Sequence, residues 1–183
     1  MPERRGFPCF CYDTPGMTHS GSFTVPCTPG EAFRLLAVPE RFAPLLPDFE
    51  SMAMADATHF TLRTVIALGE IRGHANLNME LRQAVPNSMA EYAGEGVIAG
   101  GKLRFGLRFD ITGAATGSSI RWLGEVALEG MLALLAGGLL ETMGRKNFET
   151  MAERIREYLT TAGVGSSPEP REGQSLCGGE YKI

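Results

Sequence analysis

The feature that most limits how this chain can fold is a change of hydrophobic period near residue 130. From Phe60 to Leu128 apolar residues recur at every second position. From Leu132 to Leu159 they recur at every third and fourth: Leu132, Leu135, Ala136, Leu139, Leu140, Met143, Met151, Ile155, Leu159. A period of two gives a strand one apolar face, and a period near 3.6 gives a helix one apolar stripe. Phe60, Leu62, Ile66 and Leu68 share a parity, with Thr64 among them. Ile71, Ala75, Leu77, Met79 and Leu81 do likewise, opposed by Arg72, His74, Asn76, Asn78 and Glu80. Leu103, Phe105, Leu107, Phe109 and Ile111 alternate with Lys102, Arg104, Arg108 and Asp110, and Ile120, Trp122, Val126 and Leu128 form a last strand. Gly69-Glu70, Pro86-Asn87 and Gly100-Gly101 mark the turns of an antiparallel meander. A sheet with one apolar face needs a cover, and only the terminal helix, Met131 to Leu159, is long enough to provide it. The predicted fold is therefore α+β, a curved antiparallel sheet of about seven strands wrapped around one long C-terminal helix.

Ahead of the meander, Ser20 to Val25 reads as a strand. Thr28-Pro29-Gly30-Glu31 reads as a helix start, with an N-cap threonine, a proline at the first helical position and an acid three residues after the cap. Two short helices are expected, Glu31 to Val38 and Glu40 to Leu46, divided by Pro39 and stopped by Pro47. With 23 glycines in 183 residues, about twice the usual share, the sheet has many places to bend.

The expected organisation is an extension over 1–17, one domain over 18–160 and a polar Gly/Pro/Ser-rich tail over 161–183. Arg4-Arg5 is followed by Pro8, Cys9, Cys11 and Asp13 rather than an apolar stretch, so it is not read as an export signal. The most apolar run, Met131 to Leu140, is half of the roughly 20 residues a membrane span needs. A net charge of −4 argues against a nucleic-acid partner. Cys9, Cys11, Cys27 and Cys177 form no CxxC pair, which supports neither a zinc site nor a disulfide framework and favours a cytoplasmic setting.

No nucleophile elbow, phosphate loop or dinucleotide fingerprint is present. His19 and His59 read as strand-edge residues and His74 as a solvated one, so no metal set converges. Glu91 and Glu95 share a face opposite Tyr92, Gly94 and Gly96, and are read as solvent-facing. A curved sheet leaves a gap beside a narrower helix, the usual form of an apolar small-molecule site. Its expected lining is Phe60, Leu62, Leu77, Met79, Tyr92, Leu103, Phe105, Leu107 and Trp122, with Leu135, Leu139 and Met143 from the helix. Tyr92 and Trp122 are the expected polar donors toward a ligand carbonyl. The helix start, with Gly137 and Gly138, reads either as deep core or as a gate.

Several separated stretches carry a family resemblance. They are SGSFTVPCTPGEAFRLLAVPERFAPLLPDFESM (Ser20 to Met52), EYAGEG (Glu91 to Gly96) and GRKNFETMAERI (Gly144 to Ile155). In this order they resemble the helix-grip domains of the START-related superfamily and, more narrowly, the carbon monoxide dehydrogenase CoxG family. Pro47-Asp48 stands where that family commonly has Pro-Gly. The tail is short and polar where many members end in an amphipathic membrane-binding helix, so membrane contact has no anchor here. The resemblance implies a cytoplasmic accessory protein, peripheral at most to the inner membrane face, serving a molybdenum hydroxylase of the carbon monoxide dehydrogenase type. It implies no catalytic residues, no metal, no covalent cofactor and an apolar ligand such as a quinone. Two alternatives stay open. One is a docking or assembly factor without ligand. The other is a small cyclase or hydrolase, which requires Glu91, Glu95, His74 or Asp110 to point inward.

Overall fold

A computed structural model describes residues 16–68, 71–98 and 101–163, and gives the backbone only for 66–68, 71, 72, 98, 131–137, 139, 140, 162 and 163. The elements in order are β1 (Met17–Val25), α1 (Pro29–Leu36), α2 (Pro39–Phe42), a 3-10 turn (Ala43–Leu45), β2 (Phe49–Met54), β3 (His59–Leu68), β4 (Ile71–Val85), β5 (Met89–Ile98), β6 (Gly101–Ala114), β7 (Gly117–Glu129) and α3 (Met131–Gly163). The strands form one seven-stranded sheet in the order β1-β7-β6-β5-β4-β3-β2, antiparallel throughout. This is the curved sheet and terminal helix that the alternating and helical periods predict.

The connection from β1 to β2 crosses from one edge of the sheet to the other, and α1 and α2 lie on that path. The start of α1 is fixed as its sequence predicts. The Thr28 N–H donates to Glu31 Oε2 at 2.8 Å, and the Glu31 N–H donates to Thr28 Oγ1 at 3.3 Å. The two short helices match only loosely. The first stops at Leu36, because Pro39 forces Val38 into an extended conformation (φ −112°, ψ 108°). The second is four residues long and gives way to the 3-10 turn. Pro44 has no N–H for an α-helical bond and its ring crowds the carbonyl of residue 40.

These helices seal one end of the interior. Ala32, Leu35, Leu36, Phe42 and Ala43 are buried there. The Phe42 ring stacks on Tyr92 (centroids 4.9 Å apart, 23°) and meets Phe109 edge-on (5.5 Å, 77°). The second half of α3 comes down onto the same end, burying Phe148, Met151, Ile155 and Leu159. Arg154 Nη1 donates to the Leu46 carbonyl at 2.9 Å, tying α3 to the segment after the 3-10 turn.

Two positions need a left-handed backbone. Asp48 has φ 55°, at the position where the resembling family commonly carries glycine. Asn87 has φ 59° behind Pro86, with the Ser88 N–H bonded to the Val85 carbonyl at 3.0 Å, a type II turn. The expected Gly69-Glu70 turn lies outside the described residues, as does Gly100, and Gly101 already belongs to β6.

Candidate functional site

The antiparallel registers convert sequence parity into rows across the inner face of the sheet. One row runs Phe60, Met79, Gly94, Phe105, Val126. The next, toward the ends of the β3–β4 and β5–β6 hairpins, runs Leu62, Leu77, Gly96, Leu103, Leu128. On the other side a row runs Leu81, Tyr92, Leu107, Gly124, His19. Trp122 lies one step further on, facing Phe109 on β6 and Gly21 on β1.

The structure therefore gathers the expected lining residues of the sheet on one surface. Phe60, Leu62, Leu77, Met79, Tyr92, Leu107 and Trp122 are buried, whereas Leu103, Phe105 and Met143 are half-buried. The side chains of Leu135 and Leu139 lie outside the described residues, as do those of the expected gate, apart from Gly138. Leu103, Phe105, Val126 and Met143 keep some accessible apolar surface, as do Phe33, Leu45 and Leu81.

Phe148, absent from the expected lining, packs among these residues. Its ring stacks on Trp122 (5.7 Å, 24°) and on Phe105 (5.9 Å, 10°), and His19 packs against it (5.8 Å, 44°). Gly124 makes this possible, because a side chain there would collide with the Phe148 ring. The helical stripe carried the signal: residue 148 lies three before Met151 and seven before Ile155.

Two expectations are corrected. Tyr92 does not offer a free donor to a ligand. Its hydroxyl donates to the Leu36 carbonyl at 2.7 Å, and burial, with the charge of Glu40, pushes its phenol well above the usual tyrosine range. His19 is more than a strand-edge residue. It is the third residue of β1, an edge strand of the sheet, but faces inward, and its Nε2 is buried with no hydrogen-bond partner.

The opposite face of the sheet is charged and largely paired. His74 Nδ1 lies 2.8 Å from Glu50, which Arg63 also meets at 3.0 Å. Partial burial raises the Glu50 pKa, but these two partners outweigh it and hold the carboxyl below the usual range. Glu95 meets Lys102 (3.0 Å), Glu91 meets Arg108 (3.8 Å) and Asp110 meets Arg108 (2.8 Å). All four acid–base candidates of the enzyme alternative thus lie on the outer parity. A groove of about 600 Å³ with mixed polar and apolar lining includes His59, Glu80, Glu95, Arg104 and Glu125 of this face together with Met79, Phe105 and Val126. Among the described residues no three His, Cys, Asp or Glu side chains converge as a metal site, and no helix is long and apolar enough to cross a membrane. Cys27 is buried, which pushes its thiol pKa up, as does the charge of Glu31.

A curved seven-stranded sheet gripping one long C-terminal helix defines a START-like helix-grip protein. Solved structures share this fold at low identity. A conserved protein from Geobacillus kaustophilus has a TM-score of 0.70 and 13% identity, over 80% of this chain and 97% of that one. A START superfamily protein from Mycobacterium smegmatis has 0.58 and 8%, over 80% and 98%. The di-domain ARO/CYC StfQ of the steffimycin biosynthetic pathway has 0.60 and 11%, over 82% of this chain and 53% of that one. The sequence profile of the carbon monoxide dehydrogenase CoxG family matches residues 21–160, and the chain belongs to that family. No curated protein matches the sequence.

Proposed function

We propose that this protein is a carrier for an apolar small molecule of the quinone class, acting as an accessory to a molybdenum hydroxylase of the carbon monoxide dehydrogenase type. The observation that carries this reading is the inner face of the sheet, a continuous apolar surface on which Leu103, Phe105 and Val126 stay half-buried, as does Met143 of α3. A monomeric domain with no use for that surface would cover it with larger side chains. Family membership points to the partner enzyme. Binding rather than catalysis is favoured because Glu91, Glu95, His74 and Asp110 lie on the outer face, where no interior ligand reaches them.

Native mass spectrometry of protein purified from its own cells tests the reading. The expected result is a bound apolar mass that organic extraction identifies as a quinone. Protein that arrives empty, and takes up no quinone from liposomes loaded with it, overturns the reading. The groove lined by His59, Glu80, Glu95, Arg104 and Glu125 supports docking of the enzyme there, with or without ligand. Co-purification of the hydroxylase by ligand-free protein separates docking from carriage.

A further inference from the structure

His19 is the one side chain among the described residues with a buried nitrogen that nothing satisfies. Such groups are rare in folded proteins, because leaving a buried polar atom unpaired costs more than one hydrogen bond returns. Its surroundings are apolar: Phe148 packs against the ring, and Gly124 is its neighbour in the row. Across from it, α3 carries Gly144 in mid-helix, where glycine is a poor helix former. A methyl group built on Gly144 would lie 3.3 Å from His19 Nε2. Gly144 thus lets α3 pass close over the unpaired nitrogen, which is shielded from water, and a side chain there would crowd the His19 ring.

We propose that His19, beneath Gly144 of α3, forms the polar end of the ligand site, taking one carbonyl or hydroxyl oxygen of an otherwise apolar, planar-ring ligand. The proposal rests on the carrier reading and names the group that gives it specificity. Nε2 carries a proton in one imidazole tautomer and a lone pair in the other. The same nitrogen therefore serves a carbonyl as donor and a hydroxyl as acceptor, so it suits both redox forms of a quinone carrier. Ring selection falls to the stacked Phe105, Phe148 and Trp122 beside it.

Calorimetric titration with two probes tests this. One is a methylnaphthoquinone with a short prenyl chain, and the other is the methylnaphthalene with the same chain and no oxygens. The wild type is expected to bind the quinone about tenfold more tightly than the hydrocarbon, the value of one well-made buried hydrogen bond. His19→Leu should abolish that preference and leave hydrocarbon binding unchanged. His19→Gln, whose amide nitrogen reaches the same place, should restore part of it. Gly144→Ala, which crowds the same nitrogen, should weaken quinone binding more than hydrocarbon binding. Without ligand, His19→Leu should unfold no earlier than the wild type. Equal loss of both probes in His19→Leu, or a midpoint several degrees lower, would show a packing residue and overturn the proposal. Equal wild-type affinity for both probes would also overturn it and leave the carrier reading standing. Binding of neither probe would remove both.

Discussion

Gly124 and Phe148 make an exacting pair for perturbation, because the structure predicts their coupling and not only their separate costs. Phe148 is 4% exposed and stacks on two rings, so Phe148→Ala should cost about 3–5 kcal/mol through lost burial and the void left behind. In a domain of this size each kcal/mol moves the midpoint by about 2–4 °C, so the expected fall is roughly 10 °C. Gly124→Ala acts in the opposite sense, since its methyl would occupy the space of the Phe148 ring. Overpacking of this kind typically costs about 1–3 kcal/mol, partly offset by the gain from replacing glycine within a strand.

The double variant decides the matter. With Phe148 already alanine the obstacle is gone, so Gly124→Ala should cost nothing or even stabilise, giving a coupling of about 1–3 kcal/mol. Urea unfolding, followed by far-ultraviolet circular dichroism and by the fluorescence of Trp122, the chain's single tryptophan, reads all four proteins. If Gly124→Ala costs the same in both backgrounds, the collision is not its cause. The account of how α3 seats on β7 would then be wrong.

Three further outcomes are expected. Tyr92→Phe removes the donor to the buried Leu36 carbonyl and should cost about 1–3 kcal/mol in urea unfolding, without changing the fold. Asp56 is held well below the usual carboxylate range, first by the backbone N–H of Thr58, then by that of His59 and by the His59 ring. Its folded pKa is depressed, so its contribution is full above about pH 5 and is lost as the pH falls below about 4 toward the folded value. Asp56→Asn should therefore flatten the acid limb of stability against pH, and an unchanged limb would refute this. Gly138 is an exposed helical residue with open space at its side-chain position. Gly138→Ala should raise stability by about 1 kcal/mol, and it should slow quinone release in stopped-flow fluorescence if this half of α3 must yield for ligand to leave.

Much of the fold was legible because alternation of two survives along every long strand, and each row on the inner face follows from parity plus tight turns. The cap at Thr28 was legible because its chemistry is local. The shortness of α2 was also written in the chain, at Pro44, but Pro39 and Pro47 drew the boundary instead. His19 was harder to see. Ser20, Gly21 and Ser22 make that part of β1 look polar on both faces, so a histidine there reads as a strand-edge residue. Extending the parity of Val25 and Phe23 back through Gly21 would have placed it inside, opposite Gly124. The bond from Tyr92 to Leu36 spans 56 positions, and no local pattern announces it.

The two halves of α3 differ in what holds them. From Phe148 onward the helix is pinned by buried Phe148, Met151, Ile155 and Leu159 and by Arg154 on the Leu46 carbonyl, so it cannot leave without breaking the core. Before Phe148, glycines at 137, 138 and 144 each weaken the helix by about 1 kcal/mol relative to alanine. A gradient of this kind lets one end open while the other holds the sheet in shape, because local opening draws on local rather than global stability. On the carrier proposal, this weaker half of α3 is where a ligand would enter and leave.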